Sequence, residues 1–333
     1  MALFNVFLSL AVLMAQLLLA AAQDRPNTTT PCDFYTNKTV GENTADNERI
    51  LMALVLHSAL LGPFSKYNTI SVAGFTGALT PTTYAGEDVD LNGYFDGAFA
   101  SANTGGSSGA AVNFLDDGGL EAARNLKPGN GNTTSAQYIF FTHVYSYFAA
   151  FLGCSHIGSA TLPNYAGKAS MYEVHKFMDL NAGEMGFFVD QAVRGLLSIG
   201  FSDPDAQFVN STLTDKFNLR CAPAEAIIPP SAGAQLQAIC IAPDCLLSPN
   251  DTCLAYDTAV APTVANATLL GNYTKDANGT TVFNASETST STSLPSSTVV
   301  SAASSLWRKT TASDLLGQGL AIIASLVLAT LLA

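Results

Sequence analysis

NAGEMGFFVDQAVRGLLSIG, residues 181–200, reads as a single amphipathic helix with both ends marked. Asn181 and Glu184 stand at the spacing of a capping box. Met185, Phe188, Val189, Ala192, Val193, Leu196 and Leu197 then recur at helical intervals, and Gly200 supplies the stop. Downstream, Asp203-Pro204 sets a cap and a first-turn proline for a second helix carrying Phe208, Val209, Leu213 and Phe217 and ending at Cys221. Upstream, residues 47–61 and 135–152 read as two more helices, the second unusually aromatic, and residues 169–177 as a shorter fifth. Strand signals are sparse, so the expected fold is mainly α over residues 33–253. A Gly-rich insertion at 62–134 interrupts it, with one helix expected near 91–102. A cysteine-dense appendix at 221–253, clipped to the helices by disulfides, closes it.

The flanks place this domain outside the cell. Residues 1–22 carry an apolar stretch running into Ala20-Ala21-Ala22, the order of a secretory signal peptide. At the other end, Ser301, Ala302 and Ala303 offer a small-residue attachment site. A polar spacer and the apolar run Leu315–Ala333 follow, so 306–333 reads as a GPI-anchor signal removed on maturation. Between domain and anchor, residues 264–305 are rich in Ser, Thr, Ala and Asn. They bury too little to fold and form a glycosylated stalk. The expected location is thus the cell surface, on the outer leaflet of the plasma membrane through the lipid anchor, or the cell wall.

Cysteine and asparagine usage fit that compartment. Cys32, Cys154, Cys221, Cys240, Cys245 and Cys253 are an even set, so three disulfides are expected, with their connectivity open. Nine N-x-[ST] sequons, at Asn27, Asn37, Asn132, Asn210, Asn250, Asn266, Asn272, Asn278 and Asn284, mark a surface open to glycosylation. The formal net charge of −12, with no basic cluster against it, excludes nucleic acid as a partner.

Chemistry rests on four histidines, His57, His143, His156 and His175. On its helix His143 shares a face with Ile139, Phe140, Ser146, Tyr147 and Ala150, which points the ring into an aromatic-walled space. An imidazole there is either a core group bonded to a carbonyl or hydroxyl, or a ligand to iron in a flat cofactor. His175 follows Met171 and Tyr172 by one turn of a short helix.

The segment around His175 carries a family likeness. Phe148-Ala149-Ala150-Phe151-Leu152-Gly153, the turn Tyr165-Ala166-Gly167 and Met171-x-x-x-His175 precede a long amphipathic helix opening at Leu180-Asn181. In that order and spacing they resemble the C-terminal half of the truncated globins, over residues 135–219. The resemblance implies a globin-like helical domain with haem as cofactor, His175 as the proximal iron ligand and His143 on the distal helix. Phe140, Phe141, Val144, Tyr147, Phe148, Phe188, Val189 and Ala192 would wall the haem. Tyr165, Lys168 and Lys176 would meet its propionates, and Met171 would sit one turn from the ligand. The ligand to such a haem would be O2, NO or a peroxide. The chain departs from the family in lacking a tyrosine on its first helix, where Leu56 or His57 lies nearest, and in its long insertion.

Two readings from other classes stand beside it. One is a non-catalytic structural or adhesion glycoprotein of the surface or wall, without cofactor. The other is a secreted esterase, since Gly105-Gly106-Ser107-Ser108-Gly109 satisfies G-x-S-x-G, with His143 or His175 and Asp116 or Asp117 as partners for Ser107. The segment before Ser107 is short, polar and turn-like, which favours a flexible loop. A haem-thiolate site at Cys32 is set aside in favour of a disulfide.

Overall fold

The computed structural model describes residues 25–250 and 252–270, and the backbone of 273–275 and 281–283. The signal peptide, the anchor signal with Ser301, Ala302 and Ala303, most of the stalk, and the sequons at Asn272, Asn278 and Asn284 lie outside the described residues.

Among the described residues seven α-helices follow in chain order: α1 (Pro31–Tyr35), α2 (Ala45–Leu61), α3 (Gly119–Arg124), α4 (Ala136–Leu152), α5 (Met171–His175), α6 (Ala182–Ser198) and α7 (Asp203–Phe217). The mainly α class is therefore observed. α2 is the centre. From Leu51 to Leu61 every residue is buried, because this helix is apolar on all sides and has no face to give to water. It packs between α6 and α4, and α7 lies on α6. Close approach of α6 to α2 depends on Gly195, where a Cβ would meet the Ala59 nitrogen at 3.1 Å.

The caps follow the sequence signals closely. Asn181 accepts from the Glu184 amide while the Glu184 side chain accepts from the Asn181 amide, so the capping box at α6 is formed. Ser135 caps α4 and Gly153, in the left-handed region at φ 75°, ends it. At α7 the cap is Ser202 rather than Asp203, and the helix stops at Phe217, short of Cys221. α1, capped by Thr30 with a proline in its first turn and followed by a π-helical turn at Thr36–Val40, was not foreseen.

The insertion is ordered by contacts remote in sequence. On leaving α2 the chain turns at Gly62 and crosses itself at Gly77, where a Cβ would lie 2.3 Å from the Gly62 nitrogen. Ala78 and Leu79 then donate to the carbonyls of Ala59 and Leu60, closing the end of the helix. A hairpin pairs β1 (Thr82–Tyr84) with β2 (Glu87–Val89), and β3 (Phe99–Ala102) pairs with β4 (Ala110–Ala111). The helix expected near 91–102 is instead a 3-10 turn at Asn92–Tyr94 and strand β3. Gly93 packs under the Phe99 ring, and Gly97 takes φ 86°, which a helix cannot use.

β5 (Thr263–Val264) joins β3 on its other side, so Val264, the first residue assigned to the stalk, pairs in the domain's sheet. β6 (Tyr273–Lys275) and β7 (Thr281–Phe283) form a separate hairpin. No described helix is long and apolar enough to cross a membrane.

Three disulfides form: Cys32 with Cys154, Cys221 with Cys253, and Cys240 with Cys245. Only the first ties helices, joining α1 to the turn after α4. The other two close the appendix on itself, so the expectation that disulfides clip it to the helices is corrected. Hydrogen bonds hold it instead. Ile239 and Cys240 donate to the Phe217 carbonyl, and Ser170 Oγ donates to the Leu236 carbonyl. Loop length ranks the bridges. The Cys32–Cys154 bridge spans 122 residues and restricts the unfolded chain by about 5 kcal/mol, against about 2 kcal/mol for Cys240–Cys245, which spans 5. In urea unfolding, Cys32→Ser/Cys154→Ser is expected to lose more stability than Cys240→Ser/Cys245→Ser; the reverse order would mean that native-state contacts, not chain entropy, set the ranking.

Candidate functional site

His57 sits in the middle of α2 and is fully buried. A carbonyl can only accept, so Nδ1 carries the proton and donates to Ala123 O at 2.7 Å. That leaves Nε2 to accept from the Tyr145 hydroxyl at 2.7 Å. The ring packs on Phe141 at 4.9 Å. Burial drives its pKa down to about 3, and the Tyr145 hydroxyl is pushed well up by the same desolvation. Both nitrogens are used to join α2 to α3 and α4, so no lone pair remains for iron.

A second cluster was missed by sequence reasoning. The Glu48 carboxylate, also fully buried, accepts from the backbone nitrogens of Ser155 (3.1 Å) and His156 (3.0 Å), from Ser155 Oγ (3.1 Å) and from His156 Nδ1 (2.8 Å). Asp33 adds a bond to the Ser155 nitrogen at 3.0 Å. Cys32 and Cys154 complete a group of ligand atoms within 4.8 Å of one another, but their sulfurs are joined and offer no thiolate to a metal. Ser155 and Glu48 both meet His156 on its Nδ1 edge, so the trio cannot pass a serine proton through the ring. Its work is to fasten the turn after α4 to the start of α2. The signal for it was a second carboxylate, beside Asp46, in the first turn of a helix that is apolar beyond Arg49.

The residues predicted to surround a haem separate onto different sides. His143 is exposed and meets only the edge of Tyr165, at 6.4 Å between ring centres; Ile139 on the same face is exposed too. The expectation that His143 looks into a closed aromatic space is thus corrected. Tyr147 is buried against Tyr165 at 5.3 Å, its hydroxyl without a hydrogen-bond partner. Tyr165 donates to the Lys168 carbonyl at 2.8 Å, and its ring lies under its own turn, where a Cβ on Gly167 would strike it at 2.3 Å. Packing of that turn accounts for the Tyr-x-Gly spacing. Lys168 itself is exposed, and Lys176 pairs with Glu173 at 3.1 Å.

Phe140 turns toward Phe95 and Phe114, at 5.9 and 5.0 Å, while Val144 is half-buried and Phe141 is in the core against His57. Phe148 lines a wholly apolar cleft with Leu56, Phe188, Ala192, Val209 and others. This cleft has room for about 10 Å³, roughly one water-sized sphere. Met171 and Val189 are core residues, and the Met171 amide donates to Gln237 Oε1. His175 is half-buried. Its Nδ1 donates to the Met171 carbonyl at 2.8 Å, and burial lowers its pKa. That leaves a neutral ring with an Nε2 lone pair, the state an iron ligand needs. The aromatic residues of α4 do not gather round it: Phe140 meets Phe95 and Phe114, Phe141 meets His57, and Phe148 lines the cleft with Phe188.

Ser107 is exposed in the loop joining β3 and β4, a hairpin rather than a strand-to-helix elbow. Asp116 accepts from the Ala136 and Gln137 amides, and Asp117 from the Asn132 amide, so both carboxylates serve as backbone caps. No family model, no curated protein and no solved structure matches this chain.

Two outcomes follow for the histidines. Haemin added to the folded protein is expected to give no Soret band that His175→Ala abolishes; such a band would restore the iron-ligand reading. His57 is neutral when folded and protonates near 6.5 when unfolded, so the unfolded state binds the extra proton between pH 6.5 and about 3. Stability from this group is complete above pH 6.5 and falls as pH drops through that window, by at most about 1.4 kcal/mol per pH unit. Urea midpoints of His57→Gln should accordingly fall less steeply with acid than those of the natural protein, and parallel curves would refute the assignment.

Proposed function

We propose that this chain is a surface glycoprotein of the cell exterior. A disulfide-closed helical domain is carried on a stalk and lipid anchor and acts by contact with the wall or with other surfaces, without cofactor or chemical turnover. The observation that carries the reading is the pairing of all six cysteines, with no free thiol, as an oxidising compartment favours. The exposed asparagines of the sequons at 27, 37, 132, 250 and 266 support it. The absence of turnover is supported by the fate of the ionisable side chains. Glu48, His57, Asp116 and Asp117 hold backbone or helix contacts, and Asp205 binds Arg25 at 2.6 Å and the Tyr35 hydroxyl at 2.8 Å. The acidic surface suits a soluble ectodomain that stays apart from anionic lipid.

The test is release from intact cells. The full chain, expressed in a cell with a secretory pathway, is expected at the surface and in the supernatant after phosphatidylinositol-specific phospholipase C, and directly in the medium when residues 315–333 are deleted. A cytosolic protein with reducible, unpaired cysteines would overturn the proposal.

A further inference from the structure

Five of the six described sequons, all but Asn27, divide according to what the hydroxyl of their third residue does. In Asn132-Thr133-Thr134 the Thr134 hydroxyl donates to Asn132 Oδ1 at 2.7 Å and the Thr134 amide donates to the same oxygen at 3.1 Å. Asn266-Ala267-Thr268 repeats this at 2.6 and 3.1 Å. Both are Asx turns on exposed asparagines, and each bond spans two residues, so it forms with or without the rest of the fold.

The other three behave differently. Thr39 gives its hydroxyl to the Ile199 carbonyl, and Asn37 Nδ2 donates to Asp33 O, both at 3.1 Å. Asn210 lies inside α7, where the Thr212 hydroxyl donates to Phe208 O at 2.9 Å. In Asn250-Asp251-Thr252 the Thr252 amide donates to Cys221 O at 2.8 Å and its hydroxyl turns to the same carbonyl, beside the Cys221–Cys253 bridge. The bonds of Thr39 and Thr252 require the folded chain, and that of Thr212 requires its helix.

We propose that Asn132 and Asn266 are the sequons that stay open to N-glycosylation in the folded domain, whereas Asn37, Asn210 and Asn250 close as it folds. The inference rests on the extracellular reading for its setting. In the transfer, Asn Nδ2 bonds to the anomeric carbon of a polyprenyl-diphosphate-linked oligosaccharide. The bond from that carbon to the diphosphate oxygen breaks, the prenyl diphosphate leaves with the electron pair, and an Nδ2 proton passes to a base of the transferase. In the two Asx turns the sequon hydroxyl stays beside its own asparagine, where a transferase can reach both together, whereas in the other three a backbone carbonyl engages it. Each site is also bonded to a residue of the insertion. The Asn132 amide donates to Asp117 and the Asn266 amide to Ala98, on segments that carry the half-buried Phe95 and Phe114. Sugars there would flank that aromatic cluster.

The experiment uses the full chain with Asn27, Asn272, Asn278 and Asn284 changed to Gln, produced unglycosylated with its disulfides formed. It is treated with purified oligosaccharyltransferase and lipid-linked oligosaccharide, either folded or after reduction and unfolding. Glycopeptide mass spectrometry is expected to find sugar at no sites but Asn132 and Asn266 in the folded sample, and at all five sites in the unfolded one. Transfer to the folded chain at Asn37, Asn210 or Asn250 as readily as at Asn132 and Asn266, or at none of the five, would overturn the proposal. A natural-sequence chain that stays in the cytosol of secretory cells and carries no glycan would instead overturn the extracellular reading and leave the folded-state comparison standing.

Discussion

Everything in this domain is arranged around a helix that has no outside. α2 is buried along its whole second half and capped at its end by the returning chain, so each polar group on it has to find a partner in a neighbouring segment. Three side chains raise that demand. Glu48 meets it with the turn after α4, His57 with Ala123 and Tyr145, and Ser58 with the Asn68 amide. Each bond ties α2 to a different piece of the chain. The same groups that look like chemistry in a list of residues are therefore the fasteners of the core, and removing any of them leaves buried donors or acceptors unpaired at a cost of roughly 1 to 3 kcal/mol each.

The irregular segments are held by the same logic from the other direction. Three buried glutamines act as clamps on backbone that has no ladder of its own. Gln191 accepts from the Thr76 and Gly77 amides and donates to Gly74 O. Gln137 accepts from Asp117 and Gly119 and donates back to Gly119 O. Gln237 accepts from Met171 and donates to Ala169 O and Glu225 O. A primary amide offers both a donor and an acceptor on one rigid group, which suits a turn where an N–H and a C=O face inward together. The insertion and the appendix thus join the helical core without contributing much secondary structure.

How much of this was legible depended on the range of the interaction. The helices were readable because caps and periodicity are local: Asn181 and Glu184 find each other three residues apart. Gln191 and Gly77 are 114 residues apart, and no pattern in residues 62–134 announces that clamp. The face of α4 was misjudged for a related reason. With Tyr138, Ile139, Phe140, Phe141, Tyr145, Tyr147 and Phe148 on one helix, apolar residues occupy every side. Periodicity then groups His143 with Tyr147 but does not say which group faces the core. α2 chose the side bearing Phe141 and Tyr145, and His143 was left in water.

The likeness to truncated globins can be weighed in the same terms. Its pieces are each explained by a local need: Gly153 ends α4 in a left-handed cap, Gly167 makes room for the Tyr165 ring, and His175 bonds the carbonyl four residues before it. Helices that end, turn and restart under similar constraints arrive at similar spacings. What distinguishes a haem site from such a run is a wall that all the motifs face together. Here α4 sends Phe140, Phe141 and Phe148 to the insertion, to α2 and to the cleft beside α7, so its aromatic side chains serve three separate contacts.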